Sequence, residues 1–267
     1  MRAKQKVVII VGPTSSGKSA LGVALARRFD GEIVSADARQ VYRGLNSGTG
    51  KITKGEMGGV PHHMLDVASP KRIFTAHDFV AQGTIALGGI AARGRLPIIV
   101  GGTGFYIDAL LGRIVLPDVP LNPKLRKTLA KKSPAQLFAL LMEKDPKRAK
   151  SIDAQNPRRL IRALEIVAAL GSVPLIENAS QSYQLWLGIR GQQADLDKKI
   201  RARLCARIPK MRIEAQRLHR NGLSYKRMES LGLEYRWLSR LLQKQVTRPE
   251  FEERLFHDIR RYSKRQM

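Results

Sequence analysis

The run Gly12-Pro13-Thr14-Ser15-Ser16-Gly17-Lys18-Ser19 restricts the fold of this chain more than any other stretch. It fits G-x-x-x-x-G-K-[ST], a phosphate-binding loop. Five apolar residues, Val7-Val8-Ile9-Ile10-Val11, lead into it, and a helix-forming run from Ala20 to Phe29 leads out. The spacing therefore predicts strand, loop and helix in that order. The glycines, Gly12 and Gly17, let the backbone wrap so that several N–H groups, those of Thr14, Ser15 and Ser16 among them, face one anion. The helix N-terminus adds partial positive charge. Lys18 reaches a terminal phosphate, and the Ser19 hydroxyl is placed to hold magnesium. The loop predicts an α/β core and a bound di- or triphosphate. It leaves the reaction open.

A chain of 267 residues with 43% apolar content suffices for one α/β core with an insertion. The single cysteine, Cys205, excludes an intrachain disulfide and suits a reduced, cytoplasmic setting. Met1 to Lys6 is basic like the start of a signal peptide, but the apolar run behind it is too short, so it reads as a first strand. No stretch is long enough for a membrane span, and a monomer without membrane attachment is expected. The net charge of +26 is uneven. Residues 1–112 hold 14 basic and 7 acidic side chains, and residues 113–267 hold 34 and 15. A polyanionic partner for the second part is the natural reading, against the plainer one of a solvated basic surface.

Glu32 to Asp37 reads as a second strand ending in Asp37. Ligands of open α/β sheets sit at carboxyl strand ends, which places Asp37 beside the phosphates. A helix cap is an equally good account of an aspartate there. His62-His63 invites a metal reading, but adjacent residues face different ways, so a structural or substrate-facing role for one of them is preferred. Residues 75–93 suit a helix capped by Thr75. Gly94 to Pro97 reads as a turn, and Ile98-Ile99-Val100 as a third strand running into Gly101-Gly102-Thr103-Gly104. Residues 124–150 are basic and helical, with a start at Ser133-Pro134. Asn156-Pro157 opens another helix carrying Arg158, Arg159, Arg162 and Glu165. Leu185 to Ile189 reads as a returning strand, and residues 193–221 as a long basic helix broken or bent at Pro209.

Together these pieces resemble the tRNA dimethylallyltransferases, also called tRNA isopentenyltransferases. The resemblance rests on Gly12 to Ser19, Ser35 to Tyr42, Pro61 to Asp66, Pro97 to Tyr106, Asn156 to Glu165, and Ser263-Lys264-Arg265-Gln266-Met267. It implies transfer of a dimethylallyl group from dimethylallyl diphosphate to the exocyclic amine of the adenosine just 3′ of the anticodon. The phosphate loop would then hold diphosphate. By the same resemblance Asp37 matches the base, and Thr103 a residue at the reacting ends. Ser35, Arg39, Gln40, Gly101, Gly102, Arg158, Arg159 and Arg162 match tRNA contacts on the anticodon stem-loop. Magnesium is the implied cofactor. Three departures stand out. Ala38 replaces the usual serine. Lys199 or Arg203 must replace the usual arginine at the diphosphate. The chain also stops at Met267, where relatives usually continue with an aromatic-rich strand, so a sheet edge is expected to lie exposed or to be covered otherwise.

The expected architecture is a phosphate-loop core with a mostly parallel sheet, residues 1–114 and 181–267, and a helical insertion for the anticodon arm, residues 115–180. Two other readings compete. One is an ATP-dependent small-molecule or nucleotide kinase with Arg158, Arg159 and Arg162 as lid arginines. The other is a non-catalytic RNA-binding protein. Preference for dimethylallyl diphosphate over ATP separates the first, and single-turnover transfer to an anticodon stem-loop separates the second.

Overall fold

Short β-rich runs separated by helices assemble into one parallel sheet. The computed structural model describes residues 5–174 and 182–266. β1 (Gln5–Val11), β2 (Gly31–Ala36), β3 (His62–His63), β4 (Leu96–Gly101) and β5 (Ser182–Gly188) lie in the order β3-β2-β4-β1-β5. Every pairing is parallel, so each connection must cross over the sheet. Period-two alternation sorts the side chains. Val7, Ile9, Val34, Ala36 and Ile99 pack on one face, against the helices Ala76–Ala92, Gln193–Arg220 and Arg248–Lys264. Ile10, Ile33, Ile98 and Val100 pack on the other, where Val23 and Ala26 of the helix Lys18–Arg28 meet them. Each fully buried Val or Ile contributes about 1.5–3 kcal/mol. This is the predicted α/β fold.

The chain divides into two compact units, the described residues within Met1–Leu111 and Ser180–Met267, and those within Gly112–Ala179. The expected boundary between residues 180 and 181, like residues 1–4 and Met267, lies outside the described residues. The second unit is all helical, and its sequence shows why. Asn122-Pro123, Ser133-Pro134, Asp145-Pro146 and Asn156-Pro157 each set a capping side chain before a proline at the first helical position. The cap accepts the N–H three residues on, and proline there forfeits no helical hydrogen bond. The core of this unit is Leu129, Leu137, Leu141, Leu160 and Leu164.

Two local expectations need correction. The break expected at Pro209 does not occur, for one helix, Gln193–Arg220, continues through it; its buried face of Leu196, Ile200, Leu204, Ile208 and Met211 keeps packing where one hydrogen bond is lost. Pro97 is not in the turn but in β4, paired with Glu32 near the strand's start, a place where proline is tolerated. β5 forms one edge of the sheet, with Tyr183 and Leu185 exposed on it.

Buried carboxylates brace the fold. Glu32 accepts Arg93 Nε at 3.0 Å and Nη2 at 2.7 Å, and lies 2.6 Å from His63 Nε2. Glu214, on the long helix, accepts the N–H groups of Asn46, Ser47 and Gly48 and the Tyr235 hydroxyl. It thereby pins the loop whose next residues, Thr49 and Gly50, reach the phosphate crevice. The Arg93 hydrogen bonds hold the Glu32 carboxyl down at about 2 against the opposing effect of burial. A carboxyl more acidic in the folded than in the unfolded chain stabilises above its unfolded value and loses that contribution as pH falls. Urea unfolding should therefore show Glu32→Gln less stable at neutral pH, with the gap to the unaltered protein closing as pH drops from about 4.5 to about 2. A gap independent of pH would refute this account of Glu32.

Candidate active site

The carboxyl ends of β1, β2 and β4 converge on one crevice. After β1 the chain enters the phosphate loop. Gly17, at φ 94°, caps the helix Lys18–Arg28 in the left-handed region, a conformation that favours glycine. Gly101 ends β4 so close to the Ala36 carbonyl that a Cβ would collide with it. Thr14, Ser15, Ser16, Gly17, Lys18 and Ser19 line the crevice, and Gly12 follows directly on the last residue of β1. The Ser16 hydroxyl is buried without a hydrogen-bond partner among the described residues, as expected of a group shaped for an anion. Lys18 Nζ rests 2.6 Å from the Pro13 carbonyl. Burial lowers its pKa to about 8; Asp37 opposes the shift, and Arg203 adds to it.

Arg203 lines this crevice and donates to the Gly50 carbonyl at 3.0 Å. Lys199, one turn earlier on the same helix, is exposed and does not line it. Of the two candidates for the diphosphate, the structure brings only Arg203 to the loop. Arg207 on the next turn donates to the carbonyls of Ser47 and Gly48. His62 lines the crevice with Nδ1 2.8 Å from the Val60 carbonyl, and burial lowers its pKa. Its neighbour His63 turns to Glu32, so the two rings have separate tasks.

Asp37 does two things. Its Oδ1 accepts the N–H groups of Arg39 at 2.8 Å and Gln40 at 3.2 Å, which caps the turn after β2. Its Oδ2 has no hydrogen-bond partner among the described residues. The cap therefore occupies one oxygen of Asp37 and leaves the other unengaged. Thr103 Oγ1 accepts the Ala38 N–H at 3.1 Å, and Thr103 N–H donates to the Ala36 carbonyl, so the ends of β2 and β4 are tied together.

A second cavity opens beyond this tie. Asp37, Ala38, Arg39, Thr103, Arg236, Arg261 and Tyr262 line it. Asp37 and Tyr262 line both cavities. Ser35, Gln40, Gly101 and Gly102 line the phosphate side, and besides Asp37 the matched residues on the other are Arg39 and Thr103. Tyr262 and Gln266 escaped residue-by-residue reading, although Gln266 lies in the C-terminal stretch that carried the resemblance.

In the helical unit Arg158 and Arg159 are exposed. Arg162 is engaged: it donates to the buried Glu165 at 2.6 Å and to the Val119 carbonyl at 2.8 Å. Arg126 makes a paired contact with the same carboxylate, which also accepts the Asn122 N–H. Burial favours the neutral form of Glu165, but Arg126, Asn122 and Arg162 outweigh it and bring the carboxyl to about 2.

A family model described as IPP transferase matches residues 40–267. The chain is 40% identical over 264 residues to tRNA dimethylallyltransferase 1 of Geotalea uraniireducens, covering 97% of this chain and 86% of that protein. It is 38% identical to tRNA dimethylallyltransferase 2 of Treponema denticola, covering 98% and 90%. Among solved structures it is similar to the full-length tRNA isopentenylpyrophosphate transferase of Bacillus halodurans, with a TM-score of 0.73, 36% identity, and coverage of 98% and 86%. It is also similar to a eukaryotic dimethylallyltransferase solved while acting on tRNA, with a TM-score of 0.84, 26% identity, and coverage of 98% and 69%.

A lysine with a free-state pKa of about 8 binds a polyanion best when protonated. Affinity for inorganic diphosphate should fall as pH rises above about 8, with proton uptake on binding. Titration calorimetry of Lys18→Met against the unaltered protein isolates this inflection from the titration of diphosphate itself. Identical pH dependence in both would contradict it.

Proposed function

The chain belongs to the IPP transferase family, and from that premise we propose that it transfers a dimethylallyl group from dimethylallyl diphosphate to the exocyclic amine of the adenosine 3′-adjacent to the anticodon in tRNA. One observation carries the reading beyond the family: the phosphate crevice and the arginine-rimmed cavity share Asp37. A donor on one side and a nucleobase on the other would meet at a carboxylate with one oxygen free.

The steps follow from the residues. The loop N–H groups, Lys18 and Arg203 bind the diphosphate and stabilise its growing charge as it leaves. The target base must leave its stack to enter the second cavity. Asp37 Oδ2 accepts a hydrogen bond from the exocyclic amine. As nitrogen bonds to the allylic carbon, the carbon–oxygen bond to diphosphate breaks and the amine proton passes to Oδ2. Thr103 holds the turn bearing Asp37 through the Ala38 N–H. Ser35, Gln40, Gly101 and Gly102 would contact the substrates from the phosphate side, and Arg39 from the nucleobase side.

Magnesium fits the Ser19 hydroxyl, which lines the crevice. No group of three or more histidine, cysteine, aspartate or glutamate residues among the described residues forms a protein cage. The ion would thus ride on the diphosphate, as magnesium commonly does, and neutralise the leaving group. Among the described residues no helix is long and apolar enough to cross a membrane; action as a monomer on cytoplasmic tRNA is part of the proposal. Arg158 and Arg159, exposed on the helical unit like Lys131 and Lys132, are offered to RNA phosphates, while Arg162 supports the unit itself.

Mass analysis of nucleosides from tRNA incubated with protein, magnesium and donor should show a prenylated adenosine. ATP in place of the donor should yield no modified base. Unmodified tRNA from folded protein would overturn the reading. Asp37→Asn keeps an Oδ1 to cap the turn but supplies no base. Single-turnover transfer should fall by roughly 10²–10⁴ while donor and tRNA affinities hold; rapid transfer would move the base elsewhere. Charge reversal of Arg158, Arg159, Lys131 and Lys132 should weaken tRNA binding and flatten its salt dependence. Affinity that ignores these changes would exclude the helical unit as a phosphate contact.

A further inference from the structure

Gln266 lies just past the helix Arg248–Lys264, yet its side chain reaches the opposite end of the sequence. Its Oε1 accepts the Thr14 N–H at 2.9 Å, and its Nε2 donates to the Gly102 carbonyl at 3.0 Å. One carboxamide therefore joins the phosphate loop to the turn after β4, spanning 252 and 164 residues of sequence. Both polar ends are used, and Gln266 itself lines the phosphate crevice. One turn earlier on the same helix, Tyr262 lines both cavities, and its hydroxyl interacts with the side chains of Thr103 and Gln266.

A loop made of glycines and small polar residues has little of its own to hold its shape. Ser15 adopts φ 62° and Gly17 φ 94°, and the Ser16 hydroxyl is unpartnered among the described residues. Keeping such N–H groups aimed at one point before the anion arrives costs conformational entropy, which a fixed external contact removes from the binding step. The Gly102 carbonyl is a rigid anchor, because the adjoining Gly101 is packed against Ala36 at the end of β4.

We propose that Gln266 is a positioning residue for the allylic donor: its carboxamide clamps the phosphate loop at Thr14 to the Gly102 turn, and so holds the loop in its diphosphate-binding form. The inference rests on the reading of that crevice as the donor site. Its prediction is a split in the kinetics. Preorganisation acts on donor affinity and leaves the chemistry at Asp37 untouched.

Gln266→Met keeps the length and loses both hydrogen bonds. The dissociation constant for inorganic diphosphate and the KM for the donor should each rise about tenfold, while kcat at saturating donor and the KM for tRNA stay near those of the unaltered protein. Gln266→Glu keeps an acceptor for Thr14 but sets a negative charge beside the diphosphate, and should bind the donor more weakly than the Met variant. Hydrogen exchange of the unaltered protein gives a measurement that needs no variant to fold: the Thr14 amide should exchange slowly without ligand. Unchanged diphosphate affinity in folded Gln266→Met, a fall in kcat alone, or rapid exchange at Thr14 would each overturn the clamp. If the unaltered protein binds diphosphate yet transfers nothing to tRNA, the functional reading fails, and the diphosphate affinities still decide the clamp.

Discussion

The three strand ends that form the crevice can meet only because Gly101 has no side chain. A Cβ there would strike the Ala36 carbonyl, and β4 would have to separate from β2 where Asp37 leaves the sheet. With that approach allowed, the Thr103 N–H reaches Ala36 and its hydroxyl reaches the Ala38 N–H. The turn bearing Asp37 is then fixed by two strands instead of one. The phosphate loop on β1 lies against the same ends, so anion site and carboxylate are held by a shared backbone framework.

Charge is distributed to suit. Lys18 stands in a partly buried place where its proton is held loosely, and Arg203 pushes in the same direction; an anionic ligand relieves both. Three buried carboxylates, Glu32, Glu214 and Glu165, each accept several donors. Glu32 ties β2 to the end of the helix Ala76–Ala92, Glu214 ties the long helix to the loop 46–48, and Glu165 ties three parts of the helical unit together. A carboxylate buried without such partners would be expensive; Asp37, whose Oδ1 alone is engaged among the described residues, is the carboxylate that lines both cavities.

Much of this was legible in the residues because it is local. The loop motif, the strand before it and the helix after it lie within some thirty residues, and the cap-proline pairs Ser133-Pro134 and Asn156-Pro157 announce two helices of the insertion. Lys199 and Arg203 were not separable, since a spacing of four puts both on one helix face; only the depth at which that helix passes the crevice selects Arg203. Arg162 looked like a free phosphate ligand because its partners, Glu165 one turn away and the Val119 carbonyl, become a site only when the helices pack. Gln266 had no local signal, for its contacts lie more than 160 residues away. Pro209 does not break its helix for a physical reason: tertiary burial of the helix face outweighs the single lost hydrogen bond.

The central claim is that one crevice holds the departing diphosphate while Asp37 takes the proton from the incoming amine. Rapid-quench single turnover with donor labelled in both the allyl and the phosphate parts, mixed with an anticodon stem-loop, tests it most directly. The account predicts that diphosphate and prenylated RNA appear at one rate and in equal amounts, with ATP neither needed nor consumed. Diphosphate released without prenylated RNA, or phosphate passed from ATP to an acceptor, would contradict it.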